Sequence, residues 1–444
     1  MADDSRQDPG DEFRDMLREF LAGNSNIDPA QLASAAGLPN DPEVVSQLMA
    51  QLQNAMQSSE DGVNWGLALE QAKGLASRTS VVSLPAERSQ LEQAFHVAAL
   101  WLDEVTYLTE LTATPRLMSR SEWVIASMSV WTQLAEPVAT SIANSLADVL
   151  QQHAPEEMSE MMQGASQLMR NVGGTLFAMQ LGQVVGQLST EVVSGGDVGI
   201  PLLDDQQAAL IPQNVAAFGA GLDIPIDQVQ LYLAVRELAH ARLFRHAKWL
   251  RLQLLSSITE FARGIRIDTD RLEALAEDFD PANPEELREA MQSGALIPPK
   301  SDEQLVALAR LETMLALIEG WVDVVTADAS NRLPRVDAIA ETVKRRRASG
   351  GPAESAFATL VGLELRPRRL REAAQMWRTV TDAVGAEKRD ELWSQPDLIP
   401  SSADIDDPSA LIARISGVSV QDDIDQAIED LLNDTTDDRP HEEG

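Results

Sequence analysis

Residues 223–244 constrain the fold of this chain more than any other stretch, because they read as a helix that is apolar on most of its sides. Pro225 and Asp227 predict where the helix starts. From residue 229 to residue 239 apolar side chains occupy most faces, which is typical of a helix buried within a larger body. The chain must therefore supply other elements that surround this helix.

Three polar side chains interrupt the apolar helix. Arg236, Glu237 and His240 lie three or four residues apart, so they share one face. Buried charges are unstable unless they are paired or bound to a metal. The sequence therefore predicts that other polar groups meet this face inside the protein.

The rest of the chain also favours helix over sheet. Aromatic residues make up only 4% of the sequence, while Ala, Leu, Glu, Gln and Arg are plentiful. The residues from Ser119 to Glu122 and from Ser301 to Gln304 have the spacing of a capping box. Residues 192–203 are the best strand candidate, but Gly195 and Gly196 favour a loop there. We predict a mainly α fold, a multi-helix body with little or no sheet.

Composition divides the chain into three parts. Residues 1–61 are predicted to form an N-terminal helical arm that is partly disordered, and residues 62–403 one helical domain. Residues 404–444 are rich in Asp and are predicted to form a flexible, largely disordered acidic tail.

A net charge of −35 argues against nucleic acid and anionic membranes as partners, because both would be repelled. Two basic runs oppose this charge. We interpret them as ion-pair partners of the protein's own carboxylates; they comprise Lys344 to Arg347, and Arg366, Arg368, Arg369 and Arg371.

Other features bear on the compartment. The chain has no cysteine, which excludes disulfides, thiolate catalysis and cysteine-based zinc sites. Its first residues are acidic and lack the apolar segment of a signal peptide, so a cytoplasmic location is expected. Residues 171–190 carry no charge, but three glutamines interrupt them, and Gly182 and Gly186 predict a closely packed core helix rather than a membrane span.

The order Arg-Glu-Leu-Ala-His at residues 236–240 can be compared with His-Glu-x-x-His, in which two histidines bind Zn²⁺ and the glutamate acts as general base. Glu237 and His240 match the base and the second ligand, while Arg236 stands at the first histidine. The match alone is also consistent with an ordinary Arg–Glu pair beside a hydrogen-bonded histidine.

Longer stretches resemble an actinobacterial family of zincin-like, zinc-dependent metallopeptidases, which are uncharacterised hydrolases. The resemblance extends from about residue 62 to residue 408 and is carried by GVNWGLA at 62–68, WLDEVT at 101–106, SEWVIA at 121–126, MQLGQVVGQLSTEVVSGGDVGIPLL at 179–203, LIPQNVAAFGAGL at 210–222, LYLAVRELAHARLFRHAKWLR at 231–251, LIEGWVDVV at 317–325, LRPRRLREAAQMW at 365–377 and ELWSQPDLIPSSADIDDP at 391–408. It implies a zincin-like helical fold.

The resemblance also implies roles for individual residues. A zincin takes a further zinc ligand from a second segment, and Glu319 is our candidate, with Glu260 as the alternative. Asp323, one turn after Glu319, is expected to orient His240. In an active enzyme, Glu237 would activate a zinc-bound water for attack on a peptide carbonyl.

Arg236 changes this expectation. A guanidinium cannot act as a metal ligand, but it can pair with Glu319 or Glu237 and take the place of the cation. We therefore expect zinc to be absent or weakly bound, and the protein to be a weak or inactive peptidase that resembles a pseudoenzyme. The alternative is a non-catalytic protein that binds peptides or carboxylates in the same cleft through Arg236. The oligomeric state is not indicated.

Overall fold

The computed structural model describes residues 63–152, 159–204, 207–265, 300–348, 352–363 and 369–416. The predicted N-terminal arm at residues 1–61 lies outside the described residues, and so does the part of the predicted tail after residue 416.

Helices dominate the described residues, as predicted. In chain order they are α1 (Trp65–Arg78), α2 (Pro85–Asp103), α3 (Arg120–Gln152), α4 (Ser159–Leu188), α5 (Pro212–Ala220), α6 (Ile226–His246), α7 (Lys248–Arg263), α8 (Asp302–Ala329), α9 (Val336–Ala348), α10 (Pro352–Val361), α11 (Leu370–Glu391), α12 (Ser402–Asp406) and α13 (Pro408–Ser416). A 3-10 turn spans Pro396–Leu398, and two strands span Arg116–Leu117 (β1) and Ala209–Leu210 (β2).

Local signals in the sequence place two helix starts correctly. The Ser301 hydroxyl accepts a hydrogen bond from the Gln304 amide, and the Gln304 side chain bonds back to Ser301 at the start of α8. Ser119 and Glu122 make the same exchange at the start of α3. Each exchange satisfies amide groups that a helix start leaves without partners.

The strands are minor parts of the fold. They pair in parallel, with Arg116 opposite Ala209 and Leu117 opposite Leu210. An isolated bridge joins Ser194 to Leu210. Residues 192–203 otherwise form turns and loop, as predicted.

The chain divides into two compact units. Among the described residues, the first comprises residues 63–71, 135–152, 159–183 and 262–265, and the second comprises the remainder. In the first unit, the rings of Trp65 and Phe177 meet edge to face, with their centroids 6.4 Å apart.

Helix α6 lies within the second unit, where it packs against α2 and α8. Helix α8 also packs along α11. The middle of α6 is buried over nearly every residue, as the apolar pattern of residues 229–239 predicted. A helix without a polar face gains most when neighbours cover it on several sides.

A tryptophan cluster anchors α8 and α11. The rings of Trp377 and Trp393 stack at 5.5 Å, and Trp321 meets Trp393 edge to face at 6.5 Å. The Trp321 indole N–H donates to the buried carboxylate of Asp390 at 2.9 Å, and the Arg389 guanidinium donates to the same oxygen at 2.7 Å. These contacts fix the direction of α8, which carries Glu319.

The two glycines of α4 allow close packing, as predicted. A Cβ atom added to Gly182 would lie 2.6 Å from the Ala68 carbonyl oxygen, and one added to Gly186 would lie 2.9 Å from the Leu75 Cβ.

Among the helices that the structure describes, none combines the length and the apolar character of a membrane span.

Helical structure continues past the predicted domain boundary at residue 403. Helix α12 ends at Asp406, and α13 extends to Ser416 and packs against α11. Ile405 and Leu411 are buried, so this segment belongs to the folded body. The boundary was placed too early because the segment's aspartates mask these two apolar side chains.

Candidate active site

Helix α6 brings the three polar residues of the Arg-Glu-Leu-Ala-His segment into the protein interior. It begins at Ile226, directly after Pro225, so the predicted start is confirmed. The relative exposure of Arg236 is 8%, that of Glu237 is 2% and that of His240 is 3%. All three side chains therefore need partners inside the fold.

Glu319 meets two of them, as predicted. It lies on α8 and is 1% exposed. A terminal nitrogen of Arg236 donates to its Oε2 atom. The His240 Nε2 atom lies 3.1 Å from Oε1, although neither ring nitrogen of His240 makes a well-aligned hydrogen bond in the described ranges. The structure thus brings Arg236, His240 and Glu319 together.

A second arginine reaches the same carboxylate. The Arg347 Nη1 atom, at the C-terminal end of α9, lies 2.5 Å from Glu319 Oε1. Its Nη2 atom donates to the main-chain oxygen of Asp197 at 2.9 Å. Sequence reasoning placed Arg347 in a self-paired basic run but did not assign it to this site.

The other members of that run are paired as predicted. Lys344 lies 3.0 Å from Asp323, Arg345 contacts Glu341 at 2.8 Å, and Arg346 lies 3.0 Å from Asp197. In the second basic run, Arg369 pairs with Asp406, while Arg366 and Arg368 lie outside the described residues.

Two further placements differ from the sequence-based expectations. Asp323 was expected to orient His240, but its carboxylate pairs with Lys344, because α9 ends beside it. Glu260, the alternative ligand, is exposed on α7, whereas Glu319 is the carboxylate beside His240.

Glu237 is held by main-chain amides. Its Oε2 atom accepts from the Gly196 N–H and its Oε1 atom from the Ala209 N–H, both at 2.8 Å. One carboxyl group thereby joins the loop after Ser194 to strand β2. The partners are main-chain groups, which carry no residue-specific signal in a sequence.

Three glycines bring this loop directly onto the site. A Cβ atom on Gly195 would lie 2.8 Å from Glu237 Oε1, and one on Gly196 would lie 3.0 Å from His240 Cγ. A Cβ atom on Gly199, where φ is +81°, would lie 3.3 Å from Glu319 Oε1. We call residues 195–199 the glycine loop. It covers the carboxyl groups of Glu237 and Glu319 and the imidazole of His240.

The electrostatic environment differs for each group. Burial alone would raise the pKa of Glu319, but Arg347 and Arg236 hold it far below its usual range. Burial lowers the pKa of His240, although Glu319 opposes this shift, so the imidazole is neutral at pH 7. Burial raises the pKa of Glu237, and the two amide donors oppose the rise.

A small cavity of about 40 Å³ lies beside Glu237 and His240. Its remaining walls come mainly from the glycine loop and from Pro201, Leu203 and Phe244. This space is large enough for only a few water molecules. A peptide could approach Glu237 only if the glycine loop moved.

The donors present do not fit a catalytic zinc ion. Such a site needs three protein ligands and an open position. Here both oxygens of Glu319 face guanidinium groups, and Arg236 stands at the position of the first histidine. In the part of the chain that the structure describes, no group of three His, Asp or Glu side chains is arranged to hold a metal ion.

Comparison with known proteins gives the class. Residues 63–412 match the zincin-like metallopeptidase family, so the chain belongs to that family. No curated protein sequence matches it.

A solved structure shares the fold. It is described as a "putative hydrolase with a novel fold" and comes from Chloroflexus aurantiacus. The two chains superpose with a TM-score of 0.54 at 20% identity, covering 80% of this chain and 99% of that one. At this identity the likeness concerns the fold alone.

Proposed function

We propose that this protein is a zincin-like family member that works without a catalytic zinc and has weak or no peptidase activity. The observation that carries the proposal is the contact of two guanidinium groups, those of Arg236 and Arg347, with the carboxylate of Glu319. These two organic cations supply the positive charge that a metal ion supplies in an active zincin.

Charge and ligand number both support this proposal. A divalent cation beside Glu319 would meet two fixed positive charges at short range, in a buried setting where solvent screens them poorly. Of the two implied ligands that the structure brings together, Glu319 is paired with two arginines, which leaves the imidazole of His240. One imidazole is too few for a catalytic zinc.

The position of Glu237 gives independent support. A general base needs an oxygen that faces the attacking water. In this protein both oxygens of Glu237 accept main-chain N–H groups, and the glycine loop covers the carboxyl group. Its role in the proposal is to fasten that loop to the body.

The test is to restore a metal site by substitution. Arg236→His alone rebuilds His-Glu-x-x-His but leaves Arg347 on Glu319, so we expect little zinc. Arg236→His with Arg347→Gln should bind zinc, as measured by mass spectrometry of the dialysed protein. Arg236→His with Arg345→Gln is the matched control, because Arg345 is exposed and pairs with Glu341.

Peptidase activity is measured on the same samples with fluorescent casein, with and without a chelator. We expect the unaltered protein to show no chelator-sensitive turnover. One zinc per chain together with chelator-sensitive turnover in the unaltered protein would overturn the proposal.

A second candidate is the non-catalytic binding of a peptide C-terminus or another carboxylate. The observation that favours it is the surplus of positive charge, since Arg236 and Arg347 share one carboxylate. It is tested by calorimetry with a peptide that has a free C-terminus and with its amidated form. Binding of the free form alone, lost in Arg236→Ala with the fold intact, would favour this candidate.

A further inference from the structure

A second and larger cavity lies on another side of α6. Its volume is about 190 Å³, and it is formed by α2, α6 and the segment from residue 110 to residue 115. An engineered apolar cavity of about 150 Å³ accommodates benzene, so this space is large enough for a small organic group. The cavity does not depend on the proposed function, because none of the residues of the Glu319 site lines it.

The deep part of this cavity is apolar. Phe95 and Leu238 are 4% and 3% exposed, and Ala99 is half-buried beside them. Arg242 also lines the cavity, but its guanidinium bonds to Asp103 at 2.7 Å and to the Ala99 carbonyl at 3.1 Å. The charge and the N–H donors of Arg242 are thereby satisfied within the cavity wall. The floor therefore favours the apolar part of a ligand.

The mouth of the cavity carries negative charge from two glutamates, Glu92 and Glu110. Glu92, His96 and Glu110 line the cavity and are exposed. Within the described ranges, no ion pair or side-chain hydrogen bond occupies any of the three. Arg245 bonds to the main-chain oxygen of Glu110, which leaves the carboxylate unpaired.

We propose that this cavity binds a small organic ammonium ion, with the apolar part against Phe95 and Leu238 and the charged nitrogen between Glu92 and Glu110. An apolar floor below an anionic mouth is complementary to a primary amine on a short hydrocarbon chain. The same arrangement disfavours carboxylates, because the two glutamates would repel them.

The test uses n-hexylamine, which is protonated at pH 7, with hexanoate and 1-hexanol as probes of the same length. Binding to the full chain is measured by ligand-observed NMR and calorimetry. We expect hexylamine to bind, hexanol to bind more weakly and hexanoate not to bind. Equal binding of hexanoate and hexylamine, or no binding of hexylamine, would overturn the proposal.

Two variants locate the binding. The Glu92→Gln and Glu110→Gln substitutions should each weaken hexylamine binding about fivefold, as expected for an exposed ion pair at the upper end of its range. Glu372→Gln, an exposed glutamate outside the cavity, should leave the affinity unchanged. Unchanged affinity in the Glu92→Gln/Glu110→Gln double variant would contradict the role of charge.

Ala99→Phe fills the apolar floor and should abolish hexylamine binding. Circular dichroism and the urea midpoint show whether this variant folds. If it does not fold, the two glutamate substitutions still decide the matter, because both side chains are on the surface.

Discussion

Glu319 contacts more of the site than any other side chain. It is buried, and it balances Arg236 on one oxygen and Arg347 on the other. Removing one partner from a buried ion pair leaves the opposite charge uncompensated, which costs far more than an exposed pair contributes.

We therefore expect Glu319→Gln to lower the free energy of unfolding by about 3–5 kcal/mol. Glu341→Gln removes the partner of the exposed Arg345 and should leave this free energy nearly unchanged, because water screens the pair. Urea unfolding measured by circular dichroism compares the two variants. A loss in Glu319→Gln as small as that in Glu341→Gln would contradict the buried cluster.

His240 should make the protein sensitive to mild acid. Burial lowers its pKa below the ordinary 6.5, so the unfolded chain takes up a proton at a higher pH than the folded protein. Its contribution to stability is complete above pH 6.5 and is lost as the pH falls below that value. Glu319, whose pKa is also lowered, acts in the same direction below pH 4.5.

Glu237 acts in the opposite direction, because its raised pKa makes the folded state bind the proton more tightly. The His240 effect is therefore isolated by substitution. Between pH 7.5 and pH 5.5 we expect His240→Met to lose less unfolding free energy than the unaltered protein. His246→Gln, an exposed histidine on the same helix, should behave like the unaltered protein.

At the scale of the helices, the close packing of α8 on α11 determines how deeply Glu319 is buried. Gly320 follows Glu319, and a Cβ atom there would lie 2.8 Å from the Ala374 nitrogen and 2.9 Å from the Ala373 carbonyl carbon. Main-chain atoms cannot yield as a flexible side chain can. This glycine is needed for the two helices to approach.

We expect Gly320→Ala to lower the unfolding free energy by about 1–3 kcal/mol, because it overpacks this crossing. Gly74→Ala is the matched control, since a Cβ atom at the exposed Gly74 of α1 would meet no atom within 4 Å. Gly74→Ala should raise the unfolding free energy by up to about 1 kcal/mol, because alanine has the higher helix propensity. Thermal unfolding that ranks the two variants in the reverse order would refute this account.

The helices were more predictable than the site, for a physical reason. Capping boxes at Ser119 and Ser301 and the start at Pro225 are local patterns that a sequence displays directly. The pairing of Arg236 with Glu319 could also be predicted, because a buried cation on one apolar helix needs a buried anion on another.

Three features of the site escaped prediction. Arg347 is one of four successive basic residues, and nothing local indicates which of them points inward. The donors to Glu237 are the amides of Gly196 and Ala209, which any residue except proline could supply. The partner of Asp323 depends on where α9 ends. Lys344, near that end, pairs with the Asp323 carboxylate, which was expected to face His240.

For the molecule as a whole, the folded body extends further along the chain than composition indicated. Ile405 and Leu411 are buried, and α13 packs on α11. Full burial of such a side chain contributes about 1.5–3 kcal/mol.

A chain that ends at residue 403 should therefore unfold at a clearly lower urea concentration than one that ends at residue 416. The sequence predicts little packing after residue 416. The chain that ends at residue 416 should therefore unfold at the same urea concentration as the full chain. Equal midpoints for the two truncations would contradict the assignment of α12 and α13 to the body.

The short parallel ladder sets a condition on how the molecule folds. Its strands, at residues 116–117 and 209–210, are separated in sequence by the whole of α3 and α4, so a long loop must close before they pair. Contacts between distant segments form slowly compared with helices. Because the Ala209 amide of this ladder also binds Glu237, refolding chains should acquire helical circular dichroism before that amide becomes protected from hydrogen exchange.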